Sequence, residues 1–131
     1  MEILRTPLYV LERAVGKSYF ALRRTSAKVD SLTELVKQLD QVDAAIAKVA
    51  AAHLNILFDL RLAPIRSDPE FYRVVRPYLM RYAKQFKRVA VVVKTQVGKL
   101  QINQVSRNML DGVPHVFDDE QAAIAYLEGK E

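Results

Sequence analysis

The chain contains no cysteine and no tryptophan, and only four glycines and two histidines among its 131 residues. Without cysteine there are no disulfides, no thiolate chemistry and no cysteine-ligated zinc, which fits a reducing cytosol. His53 and His115 are the only nitrogen ligands, and no carboxylates stand at ligand spacing around them, so no metal site is expected. Long apolar runs are missing too. None approaches the ~20 residues that cross a bilayer, and Glu2 and Glu12 interrupt the N-terminal stretch where an export signal would be continuous and apolar. The expectation is a single cytoplasmic domain over 1–131, long enough to bury a real core.

Catalytic motifs are equally scarce. There is no GxGxxG, and the VGKLQ stretch around Gly98 and Lys99 lacks the first glycine and the serine or threonine of a phosphate-binding loop. Ser67, His115 and Asp59 could make a triad on paper, but no GxSxG elbow surrounds Ser67. The reading is a protein without a catalytic site or cofactor.

Charge is present in excess at one place. From Phe71 to Leu110 there are nine basic residues and no acid, so this block carries +9 and the rest of the chain 5 − 9 = −4. Such a block attracts acidic proteins, nucleic acid or anionic lipid, although a solvated helix face accounts for it equally well.

The periodicities alternate. Residues 8–26 read as two strands around Gly16-Lys17, and their charged far ends, Glu12-Arg13 and Arg23-Arg24, suggest one partly exposed face. Ser31 and Glu34 form a capping box ahead of a helix whose Leu35, Leu39, Val42 and Ile46 share one face and which ends near His53. LNILFDLRL (54–62) reads as a central strand, with Asp59 and Arg61 on one face as an ion pair or as ligand-facing groups at the carboxyl end of the sheet. Ser67 and Glu70 repeat the capping pattern before a second helix that contains Pro77, and RVAVVVK (88–94) is the clearest strand. A third helix is expected over 96–110, a short strand at 114–117, and a last helix capped by Asp118 and ending at Gly129. The order ββαβαβαβα predicts an α/β layered fold. It would have a mixed sheet of four to five strands and about four helices, the later strands being parallel.

This order, with its FDL triplet, its VAVVV strand and its terminal AAIAYL helix, resembles the STAS superfamily over about 8–128. That superfamily takes in the anti-sigma-factor antagonists, and the similarity is greatest to the single-domain bacterial branch related to CRAL-TRIO lipid-binding domains. The resemblance implies a non-catalytic regulatory or scaffolding module that binds a protein partner through the loop at 64–70 and the helix after it. Ser67 falls where the phospho-acceptor of such domains lies. Its neighbours Arg66, Asp68, Pro69 and Glu70 depart from the family pattern, and two acids on the first turn would repel a phosphate, so Ser67 reads as a plain N-cap. Asp59, Arg61, Arg66, Arg73, Arg76 and Lys84 are the expected partner-binding residues.

Two other readings stand beside it. One is a small-ligand or lipid-headgroup binder lined by Phe58, Tyr78 and Tyr82. The other is nonspecific nucleic-acid or anionic-surface binding by the 71–110 block, although no nucleic-acid motif is present. Exposed hairpin strands can also pair across a two-fold axis into a homodimer.

Overall fold

In a computed structural model of the chain, the residues described are 1–14, 17–49, 54–63, 69–94 and 115–129. The elements run β1 (Glu2–Arg5), β2 (Tyr9–Arg13), β3 (Tyr19–Arg24), α1 (Leu32–Val49), β4 (Asn55–Asp59), α2 (Pro69–Lys84), β5 (Val89–Val92), β6 (His115–Phe117) and α3 (Glu120–Leu127). The strands form one six-stranded sheet in chain order, β1-β2-β3-β4-β5-β6. The first three are antiparallel and the β3–β4, β4–β5 and β5–β6 pairs are parallel. The α/β class, the hairpin and the parallel later strands are as the sequence predicts.

Period-2 alternation splits each strand between two faces. Phe20, Leu22, Ile56, Phe58, Val91 and Val116 point to the larger core, where Leu35, Leu39, Val42 and Ile46 of α1 and Val75 and Tyr82 of α2 cover them. Tyr19, Ala21, Leu57, Ala90 and Val92 point the other way, toward Ala123 and Leu127 of α3. Small residues on both sides of this second layer let α3 lie close to the sheet. On the first face the helices are joined at their seam, where the buried Tyr82 hydroxyl donates to the Leu39 carbonyl at 2.6 Å. Tyr78 Oη donates to Asp40 at 2.7 Å, with the Arg81 guanidinium 4.5 Å from the Tyr78 ring centre.

Local signals explain most boundaries. Ser31 Oγ accepts from the Glu34 N–H at 3.3 Å, which is half of the expected capping box; the Glu34 carboxylate accepts from Gln38 Nε2. α2 begins at Pro69 and runs through the exposed Pro77. Gly129, at φ 74°, follows the end of α3 in the left-handed conformation that favours glycine.

Four features differ from the expectation. The sheet has six strands, because the four residues of β1 add an outer strand to the hairpin, with a bulge between Glu2 and Leu4. β4 stops at Asp59, and Arg61 lies in the following turn. The N-cap of α3 is Asp119, not Asp118: Asp119 is extended (φ −137°, ψ 125°) and its carboxylate accepts from the Gln121 N–H at 3.2 Å. Arg24, expected on an exposed face, is buried over the Tyr9 ring and donates to the carbonyls of Thr25 and Ala27 at 2.7 and 2.9 Å. Burial lowers its pKa. The helix expected over 96–110, His53, and the Arg66–Ser67 pair lie outside the described residues.

Candidate functional site

Ligands of open α/β sheets favour the carboxyl ends of the parallel strands. In this chain that end carries charge. Arg23 and Asp59 are Cα partners across the β3–β4 ladder, so their side chains leave the same face at the same level. α3 starts above them with Glu120, the first residue of its first turn. The turn after β4 brings Arg61 back over Asp59.

The result is a closed ring of ion pairs. Arg23 Nη1 donates to Asp59 Oδ2 at 2.6 Å and to Glu120 Oε1 at 2.8 Å. Arg61 Nη2 donates to the same two oxygens at 2.8 and 2.6 Å. Arg61 Nε and its backbone N–H both donate to Asp59 Oδ1, at 2.9 and 3.1 Å. Glu12, from β2, closes the outer side by accepting from Arg23 Nε at 2.6 Å. Three carboxylates thus meet two guanidiniums. The Asp59 side chain is 9% exposed and those of Arg23 and Arg61 are 30% and 37% exposed, so the acid at the centre is the group most shielded from water.

The electrostatics follow. Burial works against the Asp59 carboxylate, but the hydrogen bonds from Arg61 and Arg23 outweigh it and hold its pKa below the ordinary value. Burial likewise opposes the Arg23 charge, and the bonds to Glu12, Glu120 and Asp59 more than restore it, raising its pKa. Asp59, Arg23 and Arg61 are all held more firmly in their charged forms. The ring is a permanently charged structure that ties β2, β3, β4, the turn after β4 and the N-terminus of α3 together.

The remaining expected residues lie elsewhere. Arg73, Arg76 and Lys84 are exposed on α2, on the opposite side of the sheet from α3, and Arg73 is 3.4 Å from Glu70 one turn earlier. The structure therefore brings Asp59 and Arg61 together but does not join them to the basic residues of α2. Phe58 and Tyr82 are spent in the core, and Tyr78 belongs to the α1–α2 seam. His115 is exposed on β6 and stacks on Tyr126 at 4.1 Å between ring centres. Sequence reasoning missed Glu12, Arg23 and Glu120. The register that sets Arg23 beside Asp59 has no local signal, whereas the acidic start of α3, Asp118-Asp119-Glu120, was a visible cue.

Among the described residues, no group of three or more histidines and carboxylates could hold a metal ion, and no helix is long and apolar enough to cross a membrane.

Comparison with known proteins bears on the fold. No curated protein matches the chain. A solved structure does: an uncharacterized protein of the DUF3478 family with a SpoIIAA-like fold from Shewanella loihica PV-4. The two are 19% identical, the match covers 95% of this chain and 98% of that one, and the TM-score is 0.64. This likeness shows a shared architecture. The SpoIIAA-like family profile matches residues 25–128, which include every element from α1 to α3, and the chain belongs to the SpoIIAA-like family.

Proposed function

We propose that the protein is a non-catalytic regulatory or scaffolding module that binds a protein partner with an acidic surface through the outward face of α2 and the loop before it. The observation that carries this reading is the division of labour across the sheet. At the carboxyl edge, the ionisable groups are consumed in the Arg23–Asp59–Arg61–Glu120 ring, where the Asp59 pKa is driven away from the range useful for proton transfer at neutral pH. On α2, the apolar stripe faces inward while Arg73, Arg76 and Lys84 face water. Such a surface suits steering and docking of an acidic partner rather than turnover of a substrate.

The proposal extends to Arg66 and Ser67, which lie outside the described residues, with Ser67 read from the sequence as a cap rather than a switch. Affinity capture from the native host, read by mass spectrometry, tests the assignment. A specific partner should be retained by the wild-type chain and lost from an Arg73→Glu/Arg76→Glu/Lys84→Glu variant whose thermal unfolding is unchanged. Equal retention by both chains would rule out this surface. Phosphate found on Ser67 in the same sample would overturn the cap reading.

A further inference from the structure

The two ends of the sheet differ in charge. At the carboxyl end of the parallel strands the charges are balanced: Asp59 and Glu120 pair with Arg23 and Arg61, Glu70 lies 3.4 Å from Arg73, and Lys94 follows β5 at the end that also carries Asp118 and Asp119. The amino end gathers cations from four separate segments. Arg13 ends β2, and Lys17 lies in the turn to β3, where the Ser18 carbonyl accepts from the Asn55 N–H at the start of β4. Lys48 is in the last turn of α1 and Lys84 in the last turn of α2. Lys87 precedes β5, its N–H bound to the Leu54 carbonyl at 2.7 Å. All five side chains belong to exposed residues.

The acids near this end offset little of that charge. Glu128 meets Lys17 only at 4.0 Å, and Glu2 is held by Arg5 at 2.7 Å. The carboxyl ends of all three described helices point here, each with a partial negative charge; Lys48 and Lys84 stand at those of α1 and α2, and Lys17 approaches Glu128 at that of α3. Arg13 and Lys87 add charge away from the helix ends.

We propose that this basic end docks the protein, end-on, against the anionic lipid headgroups of a bilayer. Three observations favour a lipid surface over other polyanions. The charges sit on four segments at one end of the sheet, so a plane meets them together, whereas a groove-seeking helix would meet one segment. Four of the five are lysines, compact charges on flexible stems that follow a fluid array of headgroups without demanding the paired geometry that an arginine fork reads. Among the described rings near this end, Phe20, beneath the Arg13 guanidinium, and Phe86 are buried, while His115, Phe117 and Tyr126 contact one another with the Arg88 guanidinium 5.5 Å from the Tyr126 ring, so they do not form a free platform for nucleobases. The charge asymmetry also sets the orientation. The charge-balanced carboxyl end is not drawn to an anionic plane and faces away from it, leaving the Asp59 ring and the N-terminus of α3 accessible from the aqueous side.

Vesicle co-sedimentation tests the proposal with the full chain. Vesicles of phosphatidylcholine with about one-third phosphatidylserine should bind it at low salt, and vesicles of phosphatidylcholine alone should not. Each lysine at the surface contributes about fivefold in affinity, so Lys17→Gln/Lys87→Gln should weaken binding about 25-fold. Arg73→Gln/Arg76→Gln, the same loss of charge on the side of α2, should change it less than about threefold. Equal losses for both pairs would mean attraction by net charge without a docking end, and would overturn the proposal. Absence of binding to the anionic vesicles would do the same, as would tighter binding of the wild-type chain to a random DNA duplex than to the vesicles. Circular dichroism melts matched to the wild type exclude unfolding as the cause of any loss.

Discussion

Replacing Asp59 with asparagine keeps the volume of the side chain and removes its charge from the centre of the ion-pair ring. The carboxylate accepts four hydrogen bonds, two on each oxygen: Arg23 and Arg61 guanidinium groups on Oδ2, and the Arg61 backbone and side chain on Oδ1. An amide has one acceptor oxygen, so either orientation loses two of the four and sets an NH2 group against donors. A hydrogen bond to a charged group contributes ~1.5–3 kcal/mol. Two effects reduce the total. Arg23 keeps Glu12 and Glu120 and Arg61 keeps Glu120, and both arginines are about one-third exposed, so water recovers part of the loss. The net expectation at pH 7 is a destabilisation of about 2 kcal/mol, seen in urea unfolding as a lower midpoint with an unchanged slope. The pH dependence carries the sharper test. The folded-state pKa of Asp59 lies below its unfolded value, so its stabilisation is fully present above the unfolded pKa of about 4 and disappears as pH falls through the folded value. Asparagine does not titrate. The gap between wild type and Asp59→Asn should therefore narrow steadily below about pH 4. A gap under about 0.5 kcal/mol at pH 7, or one that stays constant into acid, would refute the account of the ring.

Tyr82→Phe deletes the 2.6 Å bond to the Leu39 carbonyl while preserving the packing, and should cost about 1 kcal/mol in denaturant unfolding; Tyr82→Ala, which empties a fully buried site, should cost ~3–5 kcal/mol. Ser31→Ala removes the acceptor for the Glu34 N–H and should lower stability by about 1 kcal/mol, with Ser31→Asp restoring most of it. Gly129→Ala forces a side chain into φ 74° with its Cβ 3.4 Å from the Arg88 guanidinium, and a drop of about 1 kcal/mol in stability should be readable in a thermal melt.

Local chemistry made much of the fold legible in advance. The Ser31 cap, the Leu35–Leu39–Val42–Ile46 stripe and the VAVV run each declare their element within a few residues. The alternation in β3 to β5 also implies two covered faces. β1 was not legible, because four residues ending in charges read as a chain terminus until a hairpin offers them an edge. The Asp59–Arg61 pair was visible at spacing two, yet its larger meaning was not. Arg23 joins it through a parallel register 36 residues away, and Glu120 through a helix docked 61 residues after Asp59. Those partners are set by tertiary geometry alone. The basic face of α2 was legible in the sequence, whereas its separation from Asp59 was not, since only the three-dimensional fold reveals that the sheet stands between them.

The order of strands has a consequence for how the chain is made. Each strand pairs with the one synthesised just before it, so the sheet can grow outward in step with translation and no early strand waits for a distant partner. The ion-pair ring is the exception. Arg23 and Asp59 can meet once β4 has joined β3, but that pair is left short of one carboxylate until Glu120 emerges, 97 residues after Arg23. A chain truncated before α3 would hold all six strands but lack Ala123 and Leu127 on the second apolar face, and would leave two incompletely partnered arginines. The last helix thus acts as the checkpoint of assembly: it covers the second core and completes the charge ring in a single step.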